Sequence, residues 1–261
     1  MEMYVRLKEH LDYVQQAISG WMTEMQRAMG LTGEIMFSIL TENWEKKRPI
    51  WVMSMLSNFN PETIAIVQED VLDDYLKEEA KKQGKVVHAW ERSKYQCSIM
   101  NDMDTDMAVY ALNYTLKAEE NLRLGIVSES ATEVAIQTYL EGGLNPKALG
   151  LRIPLLSNDS NSMAEKLHEY VHTNFIRKRN EKMAAHIIDI LKKKPDSYFF
   201  ASGALHFIGE DNIPDMLRSS GLRVEHVKYS ISDCAVPQPK HTIIPCLIFY
   251  TIVVKLNTLM Q

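Results

Sequence analysis

Apolar residues recur every three or four positions over much of the chain, which predicts a protein made mostly of helices. Near the start, this spacing is kept by Tyr4, Leu7, Leu11, Val14 and Ile18. Because such residues share one face of a helix, we expect that face to be buried. No Ser, Thr, Asp or Asn precedes the stripe as a cap, so the sequence is interpreted as beginning inside a helix.

Short apolar runs between the helical stretches predict strands. Residues 50–53 are interpreted as a buried strand, and residues 85–90 as a strand that follows a helix over residues 70–83. We expect Gly84 to end that helix, because glycine is common just after helix ends. Glu91 then follows the carboxyl end of the second predicted strand, which is where α/β enzymes place their chemistry.

A strand, a helix and a second strand are predicted further along the chain. Residues 197–202 include three aromatic side chains, which suit a buried strand. A helix is expected over residues 211–218, with polar capping residues and a proline at its start and Gly221 after its end. Residues 223–227 are interpreted as the returning strand. This arrangement places His206 at a corner between a strand and a helix.

The helix before this corner is predicted to carry a polar pair on its inner face. Helical spacing of apolar positions is shown by Ile176, Met183, Ala184, Ile187 and Leu191. Arg179 and Asn180 fall on the same face. A buried guanidinium needs an anionic partner, so an inward arginine beside His206 indicates an oxygen-rich site. The alternative is a structural arginine held by a carboxylate or by carbonyls at a helix end.

Composition supports a globular chain. The 261 residues are 46% hydrophobic and 24% charged, which is enough for one sizeable core. We therefore expect an α/β or α+β fold, as a helix-rich single domain with a small central sheet. The net charge of −5 gives no support for a nucleic-acid-binding surface, and the three lysines at residues 192–194 fit a solvated helix end.

Cysteines and glycosylation sequons leave the cellular compartment open. Cys97, Cys234 and Cys246 form an odd set without C-x-x-C spacing, so at most one disulfide can form within the chain. Sequons of the N-x-S/T type begin at Asn113 and Asn158, and both asparagines are glycan acceptors if the chain enters the secretory pathway. Asn113 lies to the side of an apolar helical stripe, so we expect it to be exposed.

His168, Glu169 and His172 spell H-E-x-x-H, which offers a rival metal site. On a helix the two histidines would lie one turn apart, with Glu169 placed as a general base, as in zinc proteases. Such a site needs a third ligand further along the chain. His186 or His206 would have to serve by accident, so this interpretation is not favoured.

Ordered segments of the chain resemble the TraB family, and most closely its animal branch, the TIKI metalloproteases. The motif R-x-R-N-x-x-M-A at residues 177–184 and the run F-F-A-S-G-A-L-H-F at residues 199–207 match its C-terminal signature. Further matching segments lie at residues 4–14, 43–53, 71–76, 111–116 and 221–226, together with Glu91 and Gln96. The likeness covers about residues 3–228 and rests on the order of the segments.

The resemblance implies a protease that depends on a divalent metal, manganese or cobalt, and clips the amino-terminal region of Wnt proteins, which inhibits them. Family members carry two G-x-x-H motifs, and Gly203 with His206 corresponds to the second. It implies His206 as a metal ligand and Glu91 as a carboxylate that binds the cation or takes a proton. Arg179 would stabilise the developing oxyanion, and Asn180 would position Arg179 or a ligand. Alternatively, Glu91 is a surface glutamate.

The first G-x-x-H motif and the acidic motif after it have no counterpart, so the sequence is interpreted as an N-terminally truncated TIKI-like protein. Residues 1–228 are expected to form the TIKI/TraB-like domain, and residues 229–261 a divergent tail. The resemblance implies a location at the cell surface or outside the cell, with a membrane anchor. The alternative is a truncated, non-catalytic product or a Wnt-binding module without protease activity.

Neither end of the sequence shows a clear secretion or anchoring signal. Residues 1–18 contain five charged side chains and lack the apolar core of a signal peptide. Residues 242–254 are strongly apolar, but about 13 residues span only about 20 Å as a helix, short of a bilayer core of roughly 30 Å. We interpret this stretch as sequence from an aberrant exon. An incomplete membrane anchor and a buried strand are the alternatives.

Overall fold

The computed structural model describes residues 2–66, 72–126, 162–194, 196–225 and 249–254. The chain divides into two compact units, Met1–Phe175 and Ile176–Gln261, and each unit is described by itself. The domain bounds expected from the sequence, residues 1–228 and 229–261, stay a prediction.

The first unit is built from helices. Its α-helices are α1 Glu2–Trp21, α2 Glu24–Ala28, α3 Gly33–Thr41, α4 Pro49–Leu56, α5 Pro61–Ile66, α6 Leu72–Lys82, α7 Ser93–Asp102, α8 Thr105–Arg123 and α9 Ser162–Val171. A 3₁₀ turn, Trp44–Lys46, precedes α4. A π-helical segment, His172–Arg177, follows α9 and contains the boundary between the two units. This content confirms the prediction of a helix-rich chain.

The apolar face predicted for α1 is buried. Leu7, Leu11, Val14 and Ile18 are enclosed as expected, whereas Tyr4 is 48% exposed. The main core cluster joins α1, α4 and α8 and contains Leu7, Leu11, Val14, Val52, Met55, Leu56, Phe59, Leu112 and Leu116. Because burying one such side chain stabilises the fold by about 1.5–3 kcal/mol, this cluster holds α1 against the other two helices.

α4 lies between two apolar clusters of the first unit. Its Val52 and Leu56 enter the main cluster, while Ile50 packs into another. That second cluster contains Ile50, Met103, Ala108, Ala111, Leu167 and Val171. The strand predicted over residues 50–53 is therefore wrong. A helix buried on two sides shows the same unbroken apolar run as a buried strand, and Pro49 in the first turn favours the helix.

α6 confirms the helix predicted before Gly84. Gly84 has a φ of +68°, and the backbone N–H of Lys85 donates to the carbonyl of Ala80 at 2.9 Å, which is how a glycine commonly ends a helix. The strand predicted over residues 85–90 is wrong. These residues form no strand, and residues 85–89 are all exposed, so no apolar surface holds them in a sheet.

The second unit contains two helices and one pair of strands in its described part. Its elements are α10 Lys178–Lys193, β1 Tyr198–Gly203, a 3₁₀ turn Ala204–His206, α11 Ile213–Ser219 and β2 Phe249–Val254. The two strands run antiparallel, with Tyr198 opposite Val254 and Gly203 opposite Phe249. The small central sheet expected from the sequence is not confirmed, because the described strands form this single pair.

β1 pairs with a segment other than the returning strand predicted over residues 223–227. Residues 223–225 are not a strand, and residues 226–227 lie outside the described part. β1 instead pairs with β2, which comes from the apolar stretch of residues 242–254. A strand was the alternative that the sequence analysis did not favour for this stretch. Among the described residues, no helix has the length and hydrophobicity needed to cross a bilayer.

The inner face predicted for α10 is confirmed. The buried apolar residues on it and just before it are Ile176, Met183, Ala184, Ile187 and Leu191. α10 packs against α11, and the three lysines at its end, residues 192–194, are exposed as expected. The second unit thus places the buried side of α10 next to the loop and helix that follow β1.

Candidate functional site

Asn180 and His206 meet in the interior of the second unit. Asn180 lies in the first turn of α10 with no exposed surface, and His206 ends the 3₁₀ turn after β1 with 6% of its surface exposed. The Oδ1 atom of Asn180 is 2.5 Å from Nδ1 of His206. The structure therefore brings together two residues that the sequence analysis assigns to one site.

Asn180 determines which nitrogen of His206 carries the proton. Its Nδ2 donates to the backbone carbonyl of Asp211 at 2.7 Å, which identifies Oδ1 as the acceptor atom of the amide. Nδ1 of His206 is then the protonated nitrogen that donates to Oδ1. In the neutral form of the ring the lone pair is then on Nε2, the atom through which an imidazole binds a metal ion or accepts a proton.

Polar side chains hold the loop that leads into α11. Asp211 has a φ of +55°, a left-handed angle that aspartate tolerates better than most residues. Asn212 caps α11: its Oδ1 accepts from the N–H of Asp215 at 2.9 Å, and its Nδ2 donates to the carbonyl of Gly209 at 2.6 Å. Gly221 follows α11 with a φ of +89°. The polar start and glycine end predicted for this helix are confirmed.

Arg179 and Gly203 fit the sequence expectations less well. Arg179 is half-buried, because it lies at the edge of the inner face of α10, so its guanidinium is not enclosed as the sequence predicts. Gly203 ends β1 with a φ of −57°, an angle open to any residue, so its backbone conformation does not require glycine. Both residues keep their predicted roles only as proposals.

Glu91 belongs to the first unit, where it lies in a bend before α7 and not at the end of a strand. It is half-buried, and its Oε2 accepts a hydrogen bond of 2.6 Å from Nε2 of Gln96. The start of α7 thus pairs the glutamate and the glutamine that the sequence analysis matched to the family. The amide orients the carboxylate, and the metal-binding or proton-accepting role of Glu91 stays a prediction.

The H-E-x-x-H residues lie at the end of α9 and the start of the π-helical segment. The rings of His168 and His172 stack with their centroids 6.4 Å apart. Glu169 accepts a hydrogen bond of 2.8 Å from Oγ1 of Thr173, so its carboxylate is engaged along the helix. Within the described ranges, no group of three His, Cys, Asp or Glu side chains is placed to hold a metal ion.

Two modification candidates have described positions. Asn113 is exposed on α8, as predicted, and its Oδ1 accepts a hydrogen bond of 2.8 Å from Nη1 of Arg6. Cys97 is an exposed free thiol in α7. Asn158 and the remaining cysteines, Cys234 and Cys246, lie outside the described residues.

Comparison with known proteins establishes the family. The model of the TraB/PrgY/gumN family matches residues 3–226. The chain belongs to the TraB/PrgY/gumN family. It is also similar to Metalloprotease TIKI2 of Danio rerio, at 37% identity over 235 residues, and to Metalloprotease TIKI1 of Homo sapiens, at 35% over 235 residues. The Metalloprotease TIKI homolog of Nematostella vectensis is 33% identical over 240 residues.

These matches confirm the likeness to TIKI metalloproteases that the motifs indicate. They cover 86%, 86% and 87% of this chain, but 45%, 46% and 51% of the three relatives in the order given. The chain therefore spans about half the length of the curated relatives it matches. No solved structure matches the chain.

Two ionisable groups in the first unit of this TraB/PrgY/gumN chain were not predicted from the sequence: His10, which is buried, and Glu119, which is half-buried. Burial lowers the pKa of His10 to about 4, with help from the positive charge of Arg123. Burial also raises the pKa of the Glu119 carboxyl to about 7. The signal for His10 was its place in the apolar stripe of α1, three residues after Leu7 and four before Val14.

Proposed function

We propose that this chain is part of a divalent-metal-dependent protease and that His206 binds the cation through Nε2. The observation that carries the proposal is the 2.5 Å contact between Asn180 and His206, because it makes Nδ1 the donor, so that the neutral ring has its lone pair on Nε2. The relatives named metalloproteases support the hydrolase class.

The surroundings of His206 fit one imidazole ligand of a metal site. Metal-binding histidines usually donate their second ring nitrogen to an oxygen acceptor, as His206 does to Asn180. Because the described residues offer no three-ligand group, His206 accounts for one ligand position only. A divalent cation bound there would supply Lewis acidity, which polarises a peptide carbonyl.

The protein's own residues have separate roles in this proposal. The Asp211 carbonyl holds the amide of Asn180, and Asn180 in turn holds the imidazole so that Nε2 is presented. Arg179 is proposed to stabilise negative charge on the substrate oxygen. Glu91, oriented by Gln96 within the first unit, is proposed as a carboxylate of the protease.

We propose the amino-terminal region of Wnt proteins as the substrate and manganese or cobalt as the metal. The resemblance to TIKI metalloproteases supports both choices. A location at the cell surface or outside the cell, a membrane tether, and glycans on Asn113 and Asn158 belong to the same proposal.

A cleavage assay with a purified Wnt protein tests this function. We expect the chain to remove an amino-terminal peptide in manganese or cobalt, as detected by mass spectrometry, and a chelator to stop it. His206→Ala should lower the rate by more than about 100-fold, because a ligand is lost. His186→Ala is the matched control, since His186 is exposed on the same helix as Asn180. Equal rates for His206→Ala and the unmodified chain contradict the proposal.

A Wnt-binding module without protease activity is the second candidate. The observation that favours it is the lack of a three-ligand group among the described residues. Surface plasmon resonance with the same Wnt protein separates the two candidates. Binding without cleavage supports the module, whereas cleavage that His206→Ala abolishes excludes it.

A further inference from the structure

His10 is a buried imidazole without a hydrogen bond. It lies on the inner face of α1 with 2% of its surface exposed, and neither Nδ1 nor Nε2 has a hydrogen-bond partner. Most buried polar groups are paired, because an unpaired one loses its bonds to water and gains nothing in return. His10 therefore reduces the stability of the native first unit instead of adding to it.

The charged groups that act on His10 come from α8 and are already engaged. Glu120 accepts two hydrogen bonds from Arg6, of 2.8 and 2.7 Å. Arg123 lies over the ring of Tyr13, with its Cζ atom 5.4 Å from the ring centroid. The carboxylate whose charge acts on His10 is thus bound by another cation, and the guanidinium of Arg123 repels a second positive charge.

The other elements around α1 add no partner for His10 in the described part. α1 also packs against α3 and α5, on which the described ionisable side chain is Glu34, an exposed residue. Glu45 of the 3₁₀ turn accepts from the hydroxyl of Tyr4, at the start of α1. Glu119 is one residue before Glu120 on α8 and makes no described hydrogen bond, and its charge is not among those that act on His10.

A proton on His10 would place a second positive charge beside Arg123 without an acceptor. Burial is the larger cause that holds the pKa of His10 at about 4, the charge of Arg123 adds to it, and Glu120 opposes both. Once α1 and α8 separate, water solvates the ring and its pKa returns towards 6.5. Protons therefore bind more tightly to the separated helices than to the packed ones.

We propose that His10 is a proton-sensitive latch between α1 and α8, closed while the imidazole is neutral and opened when it binds a proton. The latch lies in the first unit and does not depend on the proposed protease site at His206. Because the folded-state pKa is lowered, the closed state keeps its full stability above about pH 6.5 and loses it progressively as the pH falls towards 4.

Hydrogen-exchange mass spectrometry on the whole chain, with and without His10→Leu, tests the latch. After correction for intrinsic exchange rates, the opening constant of α1 and α8 peptides should rise about 20-fold between pH 7 and pH 5 in the unmodified chain relative to His10→Leu. Effects of Glu119 are present in both chains and cancel in the ratio. His88→Leu is the matched control, because His88 is exposed and its removal should leave the ratio unchanged.

A ratio that stays constant with pH overturns the proposal, as does a loss of protection that is equally large in α10 and α11. If His10→Leu does not fold, an NMR titration of the unmodified chain decides the question. The His10 ring should titrate near pH 4, and a midpoint near the ordinary value of 6.5 overturns the latch.

Discussion

His206 and His10 are both buried histidines, but their surroundings differ. His206 shares a 2.5 Å hydrogen bond with Asn180, which selects one tautomer and directs one nitrogen. His10 has no hydrogen-bond partner on either nitrogen, so burial acts on it only by opposing its charged form. The two residues differ in their partners: a hydrogen bond fixes the orientation of the His206 ring, whereas His10 is affected by its surroundings through the cost of its charged form.

Glu119 resembles His10 in being ionisable and making no described hydrogen bond. Its substitution has the largest expected effect on stability of the three variants that follow. Burial raises the pKa of its carboxyl from 4.5 to about 7, so the folded-state pKa lies above the unfolded one. The free energy of unfolding therefore has its full value below about pH 4.5, where Glu119 is neutral, and falls as the pH rises through 7. Glu119→Gln should therefore raise the free energy of unfolding by about 3 kcal/mol at pH 8 and change it little at pH 4.

Urea unfolding at the two pH values measures the effect of Glu119→Gln. Glu34→Gln is the control, because Glu34 is exposed and its removal should change little at either pH. An equal gain at pH 4 and pH 8 would show that the amide packs better than the acid, and would remove ionisation as the cause.

Asn180→Ala should remove the hydrogen bond that Nδ1 of His206 makes with the Asn180 side chain. It leaves Nδ1–H of His206 and the carbonyl of Asp211 without their buried partner, which should cost about 2 kcal/mol of stability. Nitrogen-15 NMR should then detect both neutral tautomers of His206, where the unmodified chain shows Nδ1–H alone. Asn58→Ala, at an exposed asparagine, is the control. An unchanged tautomer in Asn180→Ala means that another group orients the ring.

Arg6→Met should allow Glu120 to become a partner of His10. Its expected effect is smaller than those of Glu119→Gln and Asn180→Ala. Without Arg6, the carboxylate of Glu120 is released and can turn towards His10. We expect the pKa of His10 to rise from about 4 by about one unit, while the lost ion pair costs about 1 kcal/mol. An NMR titration measures the change, and Lys8→Met on the exposed side of α1 should leave it at about 4. No rise in Arg6→Met means that Glu120 does not reach the ring.

The spacing of apolar residues correctly predicted the helices that bury only one face. α1 and α10 each bury one face and expose the other, so their apolar residues repeat at helical spacing. Gly84 and Gly221 marked the ends of α6 and α11, because left-handed backbone angles favour glycine. Local signals of this kind can be found in a sequence without knowledge of the rest of the fold.

Local sequence patterns gave wrong predictions for a helix buried on two sides and for a strand whose partner is remote in the sequence. α4 contacts apolar clusters on two sides, so its run of apolar residues carried no helical period. The partner of β1 came from residues 249–254, about 50 positions along the chain, while the sequence offered residues 223–227 nearby. Strand pairing joins residues that are remote in sequence, and local pattern does not specify which two segments pair.

Patterns in the sequence were enough to predict that the chain is helix-rich, that it resembles the TIKI metalloproteases, and that Asn180, on the inner face of its helix, shares a site with His206. Tertiary structure decided what these residues do to each other. The carbonyl of Asp211 accepts a hydrogen bond that orients the amide of Asn180, and this amide makes Nδ1 of His206 a donor. His10 is buried without a hydrogen-bond partner. Hydrogen bonds and burial depend on distances in space, which residue spacing along the chain does not contain.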